Sequence, residues 1–222
     1  MKSFQIINAA IIASTLSTVA SADLVVGYNF NELQSGSPVP ATYAADHGIG
    51  MFSTNFVAGD VVHFSGSSVG RLPEDANGRG AAFRVGEGGR NNGSYAQFAF
   101  DSTGFGDMTL TFATKTTAST GFTSMDIQVS GNGVDFTTIE TLENLRDDSN
   151  WLLKTVDLTG AAVLEDNADA VIRVVFAGGD ASNATANTRL ENFIIDGSPV
   201  PTPASAALLG LGGLVATRRR RA

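Results

Sequence analysis

The sequence predicts an all-β fold arranged as a β-sandwich. Apolar and polar residues alternate with a period of two along most hydrophobic stretches. Clusters rich in Gly, Ser, Asn and Asp separate these stretches at regular spacing. We find no convincing amphipathic helical pattern in the chain. About ten short strands divided by such turns are typical of two packed antiparallel sheets.

Two stretches show the alternation most clearly. "MTLTFAT" (108–114) alternates Met, Leu and Phe with Thr and Ala, and "SMDIQVS" (124–130) points Asp126 and Gln128 outward. The other predicted strands are 24–30, 61–64, 81–85, 95–100, 151–158, 171–177 and 190–196.

The stretch "SGNGVDF" predicts a tight hairpin. Asn132 and Gly133 both tolerate positive φ and lie between alternating apolar residues. Phe136 is then expected to return to the core. Trp151 begins an apolar strand, so we expect it in the core or at a sheet edge rather than as a platform for a sugar ring.

The N-terminus has the three parts of a secretory signal peptide. Lys2 is followed by an apolar stretch and then by Ala20-Ser21-Ala22, a small-residue cleavage pattern. Residues 1–22 are therefore predicted to direct the chain to the secretion translocon and to be removed after Ala22. The alternative is a buried N-terminal helix.

Residues 23–198 are predicted to form one acidic domain. Lys2 and Arg218–Arg221 account for five of the 14 basic residues, which leaves nine against 22 acidic residues and a net charge of −13. Such a domain repels phosphate backbones, so nucleic acid is not an expected partner. The chain has no cysteine, which excludes disulfides, thiol nucleophiles and thiolate metal sites.

The last segment, 199–222, combines a Pro-rich hinge, an apolar run and an arginine cluster. The apolar run, 204–217, predicts a short helix, but spanning the membrane takes about 20 residues, so it is a marginal span. Arg218, Arg219, Arg220 and Arg221 would hold the C-terminus in the cytoplasm.

This order of features resembles a PEP-CTERM sorting signal. The tetrapeptide Val200-Pro201-Thr202-Pro203 precedes the glycine-containing apolar run and the four arginines, although Thr202 stands where the family usually has glutamate. The resemblance implies an exported bacterial protein that is processed by a membrane protease of the exosortase type. The alternative is an ordinary single-pass anchor that is never cut.

The stretch 80–197 resembles the jelly-roll domains of secreted bacterial proteins, including carbohydrate-binding modules. It contains Ser-x-Asn-Gly-x-x-Phe (130–136), the lone Trp151, an Arg-bearing strand (171–177) and a final Asn-containing strand (190–196). The resemblance implies a jelly-roll-like sandwich, with exopolysaccharide as a possible partner.

The sequence indicates no common catalytic site. "GSSVG" (66–70) has the G-x-S-x-G spacing, but a Pro- and Gly-containing stretch follows it instead of a helix, so we expect no nucleophile elbow there. H-E-x-x-H and a P-loop are missing from the sequence. His63, in "VVHF", is expected to point outward or to be hydrogen-bonded. Asp46 and His47 are adjacent, so on a strand they would face opposite ways. We therefore predict no catalytic residues, while a carboxylate pair that meets only in space would make the alternative, a secreted glycan-active hydrolase.

Calcium is the expected cofactor, if there is one. It binds six to eight oxygen ligands, and "DSTGFGD" offers Asp101 and Asp107 around a flexible loop. The jelly-roll resemblance implies a structural calcium between the first and last strands, at Glu32 and Asp196. The alternative at each place is a solvated acidic loop.

Together these features predict an exported, non-catalytic protein. It would be anchored transiently in the membrane by its C-terminus and would then lie at the cell surface or in the extracellular matrix, amid exopolysaccharide. A structural matrix protein without a specific ligand is a further alternative.

Overall fold

The computed structural model describes residues 22–31, 36–76, 78–117, 119–147 and 150–200. The predicted signal peptide before Ala22 and the predicted helix after Val200 lie outside these residues. So do Ala20, Pro201, Thr202, Pro203, the four tail arginines and the candidate ligand Glu32. Within the described ranges no helix is both long and apolar enough to cross a membrane.

The described residues form thirteen strands and two short 3-10 helices, at Glu87–Gly89 and Ala162–Leu164. The strands are β1 (Asp23–Tyr28), β2 (Thr42–Ala44), β3 (His47–Gly48), β4 (Gly50–Thr54), β5 (Val61–Ser65), β6 (Arg79–Arg84), β7 (Tyr95–Phe100), β8 (Phe105–Thr116), β9 (Ser124–Ser130), β10 (Thr137–Leu142), β11 (Leu152–Asp157), β12 (Ala170–Ala177) and β13 (Asn187–Pro199).

The strands build two antiparallel sheets. Sheet A has seven strands in the order β11-β8-β13-β1-β3, with β6 also paired to β13 and β5 paired to β6. Sheet B has six strands in the order β10-β9-β12-β7-β4-β2. This arrangement confirms the predicted jelly-roll-like β-sandwich.

The core lies between the two sheets and is rich in aromatic side chains. Alternate residues of each strand point inward, as the period-two pattern requires. Phe98 of sheet B stacks on Phe193 of sheet A, with ring centroids 3.7 Å apart and an interplanar angle of 8°. Phe112 and Tyr28 pack around Phe193, with ring centroids at 5.9 and 6.3 Å. This cluster joins the centres of the two sheets.

Every predicted strand has a counterpart in the structure, and β2, β3, β4 and β10 are additional. The last strand runs to Pro199, one residue past the predicted domain boundary at 198. Beyond it, the Val200 N–H donates to the Gly104 carbonyl at 2.8 Å, which ties the start of the predicted sorting motif to the domain.

The predicted return of Phe136 to the core is wrong. The β9–β10 connection is a loop of residues 131–136 rather than a tight two-residue turn. Ser130 Oγ accepts the Gly133 N–H at 3.0 Å, and Asn132 Oδ1 accepts the Asp135 N–H at 2.9 Å. These bonds order the loop, and Phe136 covers Arg173 on the outer face of sheet B.

The outward position expected for His63 is wrong. Its side chain points into the sandwich and is fully buried. Burial lowers the pKa of His63, and a hydrogen bond with the Phe30 backbone partly opposes that shift.

Candidate functional site

The outer face of sheet B carries a continuous row of polar side chains. Each of the six strands contributes one residue to this row, and each residue is paired in register with the row residue of the neighbouring strand. In spatial order the row is Thr138, Gln128, Arg173, Gln97, Ser53 and Thr42. Because strands are spaced about 4.8 Å apart, the row is about 24 Å long. We call the surface formed by this row and its neighbours the sheet B face.

Arg173 is the centre of the sheet B face. Its guanidinium carbon lies 3.9 Å from the centroid of the Tyr95 ring and 3.5 Å from that of the Phe136 ring. Its Nη2 donates to Gln97 Oε1 at 2.8 Å, and its Nε donates to the same oxygen at 3.3 Å. Burial lowers the pKa of Arg173, an effect that Tyr95 partly opposes, but arginine remains charged in proteins. The rings and the amide therefore hold a charged group in one position.

The remaining polar groups of this row are partly exposed. Gln128 Nε2 donates to Thr138 Oγ1 at 3.2 Å, and Gln97 and Ser53 are half-buried. An amide or hydroxyl group can both donate and accept hydrogen bonds. The row therefore offers the paired donors and acceptors that sugar hydroxyls need.

A mostly apolar row borders the polar row on one side. Its residues, two positions further along each strand, are Ser130, Val171, Ala99, Met51 and Ala44, and all but Ser130 are apolar. Near the β4 end, a shallow depression of roughly 360 Å³ is lined by Ile49, Met51, Ala99, Asp101 and Ala168, among other residues. Ile49 is 72% exposed and Met51 is 45% exposed. The sheet B face is thus polar along its middle and apolar along this border.

Trp151 lies away from the sheet B face. It directly precedes β11 at the edge of sheet A and is partly exposed, at a sheet edge as expected. A Cβ added to Gly80 would lie 3.3 Å from Trp151 Cη2, so the indole reaches over the outer face of sheet A towards β6.

Three of the candidate calcium ligands, Asp101, Asp107 and Asp196, lie among the described residues. Asp101 Oδ1 accepts the Thr103 N–H at 2.9 Å, and hydrogen bonding from Thr103 lowers the pKa of Asp101. Asp107 is exposed, and Asp196 lies on the outer face of sheet A opposite Thr109. The described residues contain no cluster of three or more Asp, Glu or His side chains suited to a metal ion. Calcium therefore stays a prediction.

Asp46 and His47 have separate structural contacts. Asp46 Oδ2 accepts the Asn29 N–H and its Oδ1 accepts the Tyr43 hydroxyl, each at 2.6 Å. His47 Nε2 lies 2.8 Å from Asp75 Oδ1. The two side chains therefore do not contact each other as a catalytic pair would.

Residues 66–76, which we call the strap, cross the outer face of sheet A. The buried carboxylate of Glu191 accepts the Ser67 N–H, and Asn192 Nδ2 donates to the Val69 carbonyl at 2.8 Å. The His47–Asp75 contact holds the far end of the strap. Burial raises the pKa of Glu191 to about 7, although the Ser67 N–H opposes that shift.

The proteins found to resemble this chain are solved structures. No protein-family model and no curated protein matches the chain. The K2 cleaved adhesin domain of Lys-gingipain aligns with a TM-score of 0.46 and 11% identity, over 76% of this chain and 96% of that one. The CBM22-1 xylan-binding domain of Paenibacillus barcinonensis Xyn10C aligns with a TM-score of 0.44 and 9% identity, over 82% of this chain and 99% of that domain. The xylan-binding module CBM15 aligns with a TM-score of 0.44 and 11% identity, over 74% of this chain and 100% of that module.

Proposed function

We propose that the domain binds an extended polysaccharide on the sheet B face without catalysing a reaction on it. The observation that carries this proposal is the row of six polar residues with Arg173 fixed between two aromatic rings at its centre. A flat face suits the middle of an extended chain, whereas an enclosed pocket would suit a chain end. Sugar hydroxyls would bond to the amide and guanidinium groups, and sugar C–H groups would pack on the apolar border.

The composition of the row favours binding over hydrolysis. A glycosidase needs two carboxylates about 5 to 10 Å apart, and none of the six residues in the row is acidic. The nearest acid by register, Asp126, lies in the next row and accepts the Thr141 hydroxyl at 2.7 Å. The row itself thus offers no acid and nucleophile pair of the kind that the hydrolase alternative requires.

Replacing Arg173 tests this function. The Arg173→Ala variant should bind its polysaccharide at least tenfold more weakly, because it loses a charged donor worth about 1.5–3 kcal/mol and the group that orders Tyr95 and Phe136. Affinity electrophoresis of the full chain against a panel of soluble plant and bacterial polysaccharides measures the change.

Arg71→Ala is the matched control, because Arg71 is exposed on the strap and away from the sheet B face. It should bind like the wild type. If no polysaccharide in the panel retards the wild-type protein, the structural matrix alternative replaces glycan binding. If Arg173→Ala binds normally, the sheet B face is not the site.

We further propose that the chain is exported and sorted by its tail. The proposal rests on the signal-peptide pattern ending at Ala22 and on the Pro hinge, apolar run and arginine cluster in 199–222. An exosortase-type protease would process the tail, and the domain would remain at the cell surface or in the matrix, amid exopolysaccharide.

Replacing Arg218–Arg221 with serine should impair membrane retention and tail processing. The cluster opposes translocation of a marginal apolar run, and serine does not. Cell fractionation and the mass of the released protein, measured in the native host, report both effects. Wild-type localisation and processing of the serine variant would contradict the sorting proposal.

A further inference from the structure

The outer face of sheet A, opposite the sheet B face, carries a group of cations that form no ion pair with any described residue. Arg189 of β13 lies directly opposite Lys115 of β8, and Arg84 of β6 pairs with Asn187, two positions from Arg189. We call these three residues the basic cluster. Their strand neighbours Leu190 and Phe83 are in the core, so by alternation the cluster points away from it.

No carboxylate lies within salt-bridge distance of the basic cluster in the described part of the chain. The two ion pairs found there are His47–Asp75 and Arg90–Asp60. Three of the nine basic residues of a domain with a charge of −13 are thus gathered at one place. Like charges directly opposite on neighbouring strands destabilise a sheet unless something compensates for them.

The side chains of the basic cluster are partly desolvated. Arg189 lies over the Phe64 ring, 4.3 Å from its centroid, and its Nε donates to Asn187 Oδ1 at 3.2 Å. Arg84 Nε is buried, and no described group accepts a hydrogen bond from it. Burial lowers the pKa of Arg189. An anion brought to this place would gain more than it would at a fully solvated lysine.

Aromatic side chains flank the basic cluster. Leu152 pairs with Thr114 in antiparallel register, so the backbone of Trp151 lies next to that of Lys115. The Trp151 indole extends from there to Gly80. Gly80 in turn pairs with Phe64. The electron-rich faces of aromatic rings suit the polarised C–H groups of a sugar ring.

We propose that the basic cluster and Trp151 form a second binding site, which takes an acidic sugar through its carboxylate or sulfate group. A densely charged polyphosphate would be repelled by the domain as a whole, whereas a polysaccharide presents its charges beside apolar sugar faces. The site does not depend on the sheet B face, because the two lie on opposite sides of the sandwich.

Trp151 provides the test, because it is the only tryptophan in the chain. The full-length protein is titrated with polygalacturonate, dextran sulfate and neutral dextran while tryptophan emission is recorded. Binding of at least one of the two anionic polymers should change the emission and should weaken as sodium chloride is added. A response to polygalacturonate identifies a carboxylate as the bound anion, and a response to dextran sulfate identifies a sulfate. Neutral dextran should leave the emission unchanged.

Variants separate this site from the tail and from the sheet B face. Lys115→Gln, which removes an unbonded charge, and the double variant Lys115→Gln/Arg189→Gln should weaken binding by about tenfold for each positive charge removed. Lys154→Gln is the matched control on the inward side of β11, and it should bind like the wild type. The series is repeated with Arg218–Arg221 replaced by serine, which removes the tail charge. Arg173→Ala should leave the tryptophan signal intact.

Three outcomes would overturn the proposal. One is the absence of an emission change with both anionic polymers. Another is wild-type affinity in the Lys115→Gln/Arg189→Gln variant. The third is equally tight binding of a double-stranded DNA oligonucleotide, which would make the cluster a general polyanion surface.

Discussion

Replacing Phe193 with alanine should lower the free energy of unfolding by about 3–5 kcal/mol. Phe193 is fully buried on β13 and stacks on Phe98 of β7 at a centroid distance of 3.7 Å. This stack has the shortest centroid distance of the ring contacts between sheet A and sheet B in the described residues. The truncation removes buried apolar area and leaves a cavity that the surrounding rings of Phe112 and Tyr28 fill only in part.

Urea unfolding followed by circular dichroism measures this destabilisation. Val134→Ala is the control, because Val134 is 77% exposed in the β9–β10 loop and should change stability by less than about 0.5 kcal/mol. A decrease below about 1 kcal/mol for Phe193→Ala would mean that the two sheets are not joined by this stack.

Stability should fall as pH rises from about 4.5 to about 7, because of Glu191. Burial raises the pKa of Glu191 from 4.5 to about 7 in the folded protein. The folded state therefore holds a proton that the unfolded state has lost, so unfolding becomes easier as pH rises through this window. At about 1.4 kcal/mol per pKa unit the decrease is up to about 3 kcal/mol, and it is complete above about pH 8.

The Glu191→Gln variant isolates this effect. Its side-chain oxygen still accepts the Ser67 N–H, but it carries no charge. The variant should match the wild type near pH 4 and should become more stable than the wild type by pH 8. Thermal melts across this range test the difference, and the self-repulsion of the acidic domain is common to both proteins. Parallel pH profiles would contradict the buried position of Glu191 beneath the strap.

Strand positions were predictable where alternation is strong and apolar. The stretches 108–114 and 124–130 lie within β8 and β9, and Asp126 and Gln128 point outward as predicted. The missed β2 and β3 have only three and two residues. β10, "TTIETL", is a threonine-rich edge strand whose residues are exposed or half-buried on both faces. Such segments form strands because they pair with neighbouring strands, and their own sequences show no alternation of apolar and polar residues.

The candidate site was much less predictable than the fold. Gln97 and Arg173 are 76 residues apart in the chain, and they meet because β7 and β12 pair in one register. Alternation assigns each residue a face, but it does not say which strand lies beside which. The outward position of Phe136 depends on the geometry of the 131–136 loop, and "VVHF" contains no alternation that would assign His63 to either face.

The central claim is that the sheet B face binds polysaccharide. Its most direct test is an NMR titration of the isotopically labelled protein with an oligosaccharide cut from the tightest-binding polysaccharide of the panel. The account predicts that the largest shift changes occur at Gln97, Gln128 and Arg173 and at their neighbours on β7, β9 and β12. Changes confined to sheet A or to the loops, or no changes at all, would contradict it.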